Sequence, residues 1–516
     1  MTADRLNSRN LLRNAVLFGA AIILLIAANI AMSCGAFYES RAVYLLFAAN
    51  AALNLAILFD ICTDIRRNFP LLVFVLSYDL LLLGRVYAAF LTDFDNILYD
   101  LQADSFENLF QSLQIVTLSL LFVYAAYRLS APLFFRREKE VYKKGTGAVR
   151  SNQLLPVIRQ LSEIALLISS VAFFYVLFHS VLYVVRHGYL TSYTQQADSI
   201  PSAVSRLSMF FIPSFAVFLA TLPSRKQMRL PMLIYGVYMV LSLFTGRRNT
   251  FVCEALMLLI YFILRDGLRA KEKRVVKGKT VAWGILAAVV LGYALEVVAE
   301  TRSSGHLHFR SLPSAIYTFI YSQGATFRVI SETVNCWDRF DHNSTYLYLF
   351  YPFELFAHNN TFLHAAFGFT PIVETQSMPF VMTTHNYAHV LTFMVAPDRY
   401  LSGGGFGTSY VAEAYVAYGM GGVAAVSAIV GVVFRFFSSM LTRPWYILAP
   451  TLLAVKDFVF IPRNFAFSWV FDVFNLTYLC FFLVIYFLAL VIVSFGAHLR
   501  KVPGFREEHL QSGAGT

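Results

Sequence analysis

Apolar runs of about 20 residues recur along the whole chain, each long enough to cross a bilayer as an α-helix. They predict about twelve spans, at roughly 14–33, 42–62, 70–91, 109–129, 164–186, 207–222, 230–245, 251–265, 280–299, 411–434, 445–462 and 470–496. Open sheets leave backbone groups unsatisfied in lipid, and these runs are too long and too uniformly apolar for barrel strands. The pattern therefore predicts an all-α polytopic membrane protein. One interruption stands out: Glu300 to Tyr410 separates spans nine and ten by about 110 residues. It divides the chain into an N-terminal bundle of about nine spans (1–299), a loop domain (300–410), and three C-terminal spans with a short tail (411–516).

Composition agrees with this pattern. Of 516 residues, 58% are hydrophobic and only 14% charged, too few charges for the surface of a soluble protein of this size. The net charge of +11 does not form a nucleic-acid-binding stripe. Its basic residues cluster in short segments such as "RREKEVYKK", "SRKQMR" and "RDGLRAKEKRVVKGK". All of these fall on one side of the membrane if both termini are cytoplasmic, as the positive-inside rule requires. The acidic segment with Asp93, Asp95, Asp100, Asp104 and Glu107 then falls outside, as does the long loop. Membrane lipids are the expected neighbours, and nucleic acid is not. The first run, near Asn14 to Met32, is long and no clear cleavage site follows it, so a cleaved signal peptide is not expected. The five cysteines are scattered without metal-ligand spacing.

Lysine is confined to the predicted cytoplasmic segments, apart from Lys456 within a span, so the outer cations are all arginine. Arginine grips phosphate or carboxylate with a planar fork, which a lysine ammonium does not reproduce. Four stretches place such groups at the outer mouth. Arg247 and Arg248 occupy the turn "FTGRRNTF" between spans seven and eight, at the depth of a lipid-linked phosphate; the alternative is that they snorkel to headgroups. Arg302 and Arg310 flank "SSGHLH" at the exit of span nine, either as a second anion clamp or as a solvated loop entry. Arg328 follows Gly324 in "YSQGATFRVI", where the glycine permits close approach of backbone or ligand.

The fourth stretch runs from "THNYAHVL" to "SGGGFGTSYVAEAY". His385 and His389, four apart, would share a helix face. The spacing suits a metal, but no glutamate stands between them and no third ligand is evident. The Gly-rich turn lacks the lysine of a nucleotide-binding loop, yet can present free N–H groups to an oxyanion. Glu413 enters span ten, where a carboxylate needs a partner or a water-filled cavity; Arg399 or an arginine of the mouth is a candidate partner. A purely structural Glu–Arg pair is the alternative. "STYLYLFYPFELF" is too short to span, and is expected to lie at the interface or re-enter.

"GGGFGTSYVAEAYVAYGMGGV", preceded by "HVLTFMVAPDRY", resembles the C-terminal signature of bacterial O-antigen and capsule repeat-unit polymerases. "FTGRRNTF" and "SQGATFRV" are similar to two earlier elements of that family, and the resemblance covers roughly 240–435. It implies a GT-C-like fold in the bacterial cytoplasmic membrane and a metal-independent glycosyltransferase without cofactor. The donor would be an undecaprenyl-diphosphate-linked glycan, passed to a hydroxyl of another lipid-linked repeat unit. A chain-length regulator and a flippase are the implied protein partners. On this reading Arg247, Arg248, Arg302, Arg310 and Arg328 bind the diphosphate. Arg399, Ser409 and Tyr410 contact other parts of the substrate, and Glu413, His385 and His389 are the candidates for the base. Two readings stand beside it: a ligase handing a finished glycan to a different acceptor, and a flippase or transporter, which has no need of a large structured outer loop.

Overall fold

The computed structural model describes residues 2–92, 94–134, 154–187, 200–245, 248–268 and 311–499. Among these the chain is helical, with no strands. Eight helices are long and apolar enough to cross a membrane: Arg13–Ser33, Glu39–Thr63, Phe69–Thr92, Phe106–Leu129, Leu154–Arg186, Ser202–Ala220, Tyr410–Ser438 and Ser468–Phe495. They coincide with eight of the twelve expected spans. The seventh is a helix of only 15 residues, Arg229–Leu243. The eighth, Arg248–Gly267, carries Arg248, Glu254, Arg265 and Asp266 and is less apolar than the rest. The eleventh, Trp445–Val459, has 15 residues and contains Pro450 and Lys456. The ninth lies outside the described residues. Hydropathy alone counted every apolar run as a crossing, whereas helix length and charge divide them into long spans and shorter segments.

We number the helices used below α1 (Thr2–Ser33), α2 (Glu39–Thr63), α3 (Phe69–Thr92), α4 (Phe106–Leu129), α5 (Leu154–His187), α6 (Ser202–Ala220) and α7 (Arg229–Leu243). The loop segment adds α8 (Leu312–Gln323), α9 (Phe327–Asn335), α10 (Tyr346–Asn359), α11 (Tyr387–Val395) and α12 (Pro397–Leu401). Two further long helices are α13 (Tyr410–Ser438) and α14 (Leu476–Leu499). The chain forms two compact units: Met1–Arg136 with Leu256–Ser439 and Lys456–Phe471, and Arg137–Ala255 with Met440–Val455 and Asp472–Thr516.

In the second unit, α5 is the hub against which α6, α7 and α14 pack. Glu254 is buried there and accepts from the Tyr235 hydroxyl at 2.6 Å and the Tyr238 hydroxyl at 3.4 Å, so among the described residues phenols hold this carboxylate. In the first unit, α1 and α2 form a hairpin and α4 crosses α13. The crossing is close because position 431 is glycine; a Cβ there would lie 2.1 Å from the Val123 carbonyl oxygen. Polar side chains add cross-helix bonds. Ser119 Oγ bonds both the Tyr410 hydroxyl (2.8 Å) and Ser427 Oγ (2.9 Å), and Asn50 donates to Thr117 Oγ1 at 3.0 Å. α3 contains a π-helical turn at Asp79–Leu83, a feature that bends the helix ladder.

Of the short helices, α9 and α10 pack on α13, α8 packs on α3, and α11 packs on α9, α10 and α12. α9 is amphipathic: Phe327, Val329, Ile330, Thr333 and Val334 are buried, and it packs on α4 and α13. α10 is 14 residues long with Pro352 inside, too short to span, and exposes Tyr346, Phe350 and Phe353 along one face. This is the pattern of an interfacial helix. Gly324 confirms the close approach anticipated from sequence: a Cβ at this position would lie 2.0 Å from the backbone nitrogen of Arg85 in α3. Gly324→Ala is therefore expected to force α3 and α8 apart and to destabilise the fold by about 1–3 kcal/mol. The checking measurement is a lower temperature of aggregation for detergent-solubilised protein; an unshifted temperature would show that the contact relaxes freely.

Candidate functional site

The loop helices gather charged and aromatic groups at the N-terminal end of α13. The Gly-rich turn 403–407 makes this possible. Gly403 and Gly407 have φ of 90° and 80°, the left-handed region that favours glycine, and Gly404 leaves room for the Arg399 stem. The turn is pinned by Thr392 Oγ1, which accepts from Phe406 N at 3.1 Å, and by Gln376 Nε2, which donates to the Gly404 carbonyl at 3.2 Å.

Phe406 emerges from this turn as a shared platform. The Arg328 guanidinium lies 4.1 Å from its ring centroid and that of Arg399 lies 5.2 Å from it. These arginines come from α9 and α12. Two like charges so close repel, and one carboxylate offsets this: Glu332 Oε1 accepts from Arg328 Nε at 3.1 Å and forms an ion pair with the same guanidinium. Burial raises the Glu332 carboxyl above its ordinary pKa, and Arg328 pulls it back. Arg399 is exposed, and its guanidinium makes no hydrogen bond or ion pair among the described residues. Its donors are thus free for an anion.

The histidines are placed differently from the sequence expectation. Asn386 caps α11 by accepting from Ala388 N, so His385 lies before the helix and the two histidines do not share a helical face. His385 Nδ1 donates to Glu354 Oε2 at 2.8 Å, with both side chains about one-third exposed (34% and 30%). That bond fixes the ring and leaves Nε2 as the unengaged lone pair. The adjacent Asn386 donates to Glu374 Oε1 at 2.7 Å, which also accepts from the Tyr351 hydroxyl at 2.7 Å. His389 packs on Phe380 and Tyr400, and its Nδ1 contacts the Tyr400 hydroxyl at 3.0 Å. Burial holds its imidazole below the ordinary value, opposed by Glu374, so His389 is neutral at neutral pH. Glu374 and Gln376 thus tie the His385 turn and the Gly-rich turn into one hydrogen-bonded assembly.

Glu413 is fully buried, and neither of its oxygens meets an arginine. Thr408 Oγ1 donates to Oε1, and Ala466 N donates to Oε2 at 2.9 Å. It thereby staples the Gly-rich turn to the 461–467 segment. Neutral donors satisfy the carboxyl, so the arginine partner anticipated from sequence is not needed. Glu413→Ala is expected to leave a hydroxyl and an N–H unpaired in the interior, at about 1–3 kcal/mol each. Thermal unfolding of purified protein reads this loss; stability equal to wild type would remove the staple. Ser409 and Tyr410 are likewise fully buried. Ser409 caps α13 by accepting from Val411 N, and Tyr410 bonds Ser119, so neither presents surface to a ligand here.

Arg247, Arg302 and Arg310 lie outside the described residues, as does the side chain of Arg248. Sequence reasoning missed Glu332, Glu354, Glu374 and Phe406. Glu354 did carry a signal, as the sole carboxylate within the otherwise apolar and aromatic run 346–356.

Comparison with known proteins adds the family. The family model described as O-antigen polysaccharide polymerase Wzy matches residues 18–494, nearly the whole chain. The chain belongs to that family. No curated protein and no solved structure matches it significantly.

Proposed function

We propose that this O-antigen polysaccharide polymerase family member joins undecaprenyl-diphosphate-linked repeat units into a surface polysaccharide, O-antigen or capsule. The reaction takes place on the outer face of the bacterial cytoplasmic membrane, with both termini in the cytoplasm. The observation that carries this reading is the meeting of Arg328 and Arg399 on Phe406, within the same segment that holds a histidine oriented by a carboxylate. His385 Nε2 takes the proton of the acceptor hydroxyl. The acceptor oxygen bonds to the anomeric carbon of the donor sugar as the bond from that carbon to the diphosphate oxygen breaks. Undecaprenyl diphosphate leaves with the bonding electron pair. Arg328 and Arg399 stabilise the charge that grows on it, and Arg247, Arg248, Arg302 and Arg310 are proposed as diphosphate-binding residues from their sequence context alone. Guanidinium groups suffice for this, so the transfer is metal-independent. A flippase supplies the lipid-linked unit and a chain-length regulator limits the product.

The test is reconstitution. Purified protein in nanodiscs, given undecaprenyl-diphosphate-linked repeat units, is expected to produce a ladder of glycan lengths. One undecaprenyl diphosphate is released per linkage, and chelator leaves the rate unchanged. Single transfer to a different acceptor would make it a ligase. Movement of the intact substrate across the bilayer without new linkages would make it a flippase.

A further inference from the structure

A second aromatic cluster lies at the other end of α9. Trp337 opens the 3₁₀ turn Trp337–Arg339, none of whose residues is buried. Its ring packs on Tyr415, with centroids 4.9 Å apart, and on His342, 4.7 Å apart. Tyr415 is fixed from behind, because Gln111 Nε2 donates to its hydroxyl. His342 is presented by a tight turn in which Asp341 Oδ1 accepts from Asn343 N at 3.2 Å. The side chains of Asp338 and Arg339 are exposed, and make no hydrogen bond or ion pair among the described residues.

An immobilised, partly exposed indole beside an unused carboxylate, an unused guanidinium and an imidazole has the chemistry of a sugar site. A pyranose ring has an apolar C–H face that stacks on an aromatic ring, while its equatorial hydroxyls seek donors and acceptors around the rim. A tryptophan of the membrane-interface belt would instead have apolar neighbours on its lipid side. Trp337 is followed by the exposed, polar run Asp338, Arg339, Asp341, His342 and Asn343.

We infer that Trp337, with Asp338, Arg339 and His342, forms a carbohydrate platform that holds a sugar of the repeat unit away from the transfer point. This rests on the polymerase reading above and names a specificity-determining subsite for it. The helix sets the spacing: from Arg328 to its end at Asn335 α9 rises roughly 10 Å at the α-helical rise, and Trp337 lies two residues further on. A glycan whose diphosphate lies at Arg328 therefore reaches Trp337 with a sugar beyond the first. Chain elongation needs such a grip, because the acceptor must be held by its sugars while its hydroxyl is aligned.

The experiment uses the full-length protein in nanodiscs and the lipid-free repeat-unit oligosaccharide released by mild acid from the host polysaccharide. Binding is followed by calorimetry, and polymer formation is assayed in parallel. Trp337→Ala is expected to weaken binding about tenfold and raise the KM for lipid-linked acceptor, while Trp337→Phe keeps most of the affinity. Equal binding by wild type and Trp337→Ala overturns the platform while leaving the polymerase reading intact if the wild type still makes a ladder. If the wild type neither binds the oligosaccharide nor makes a ladder, both readings fall. Should the alanine variant not be recovered folded, Asp338→Ala/Arg339→Ala decides. These side chains are exposed, so the fold does not depend on them: weaker binding supports the platform, and unchanged binding overturns it.

Discussion

His385→Ala is expected to lower the polymerisation rate by about 10²–10⁴-fold while the protein accumulates normally in the membrane. The side chain is one-third exposed, so its removal leaves no buried void. What is lost is the only lone pair held in place by the Glu354 contact. Glu354→Gln separates two roles for that carboxylate. A glutamine carbonyl still accepts from Nδ1 and preserves the orientation, but its neutral group no longer stabilises the imidazolium formed when Nε2 takes a proton. The rate should therefore fall.

 

Initial rates of ladder formation by both variants make the check. Wild-type rates in His385→Ala would exclude His385 as the base.

Arg328→Ala should cost about 10²–10³-fold in turnover, the range seen when one preorganised donor to a developing oxyanion is removed. Arg328→Lys should recover only part of this. A lysine ammonium keeps the charge but can neither lie flat on Phe406 nor offer a fork to a diphosphate. Arg328→Ala also strips Glu332 of its cation, so a structural effect has to be separated from a catalytic one. Arg399→Ala does this, because Arg399 is exposed and bonds no other described side chain. It should weaken turnover in the same direction with no change in thermal stability. Retained activity in both alanine variants would leave Arg328 as a structural ion pair and remove the anion site from this end of α13.

The long spans were legible because lipid imposes one simple requirement, a sustained apolar run, and eight such runs are long helices in the structure. Shorter apolar runs obey the same hydropathy, so hydropathy alone does not separate a crossing from a shorter helix. In the site, the Gly-rich turn was legible because positive φ selects glycine locally. Arg328, Arg399 and His385 were legible as residue types suited to anion binding and proton transfer. Their partners were not: Arg328 and Phe406 are 78 positions apart, and His385 and Glu354 are 31 apart.

By itself, then, the sequence determined the helical membrane class and the residue types available between the long spans, since each depends on local composition or on spacing within one turn. Tertiary structure alone decided which groups meet. It set Glu413 against Thr408 and Ala466 instead of an arginine, and it buried Ser409 and Tyr410 in helix packing. It also brought two arginines from separate helices onto one ring. The physical reason is that a side chain's partner is fixed by how helices pack, and packing depends on shape complementarity between segments distant in the chain, which no local pattern encodes.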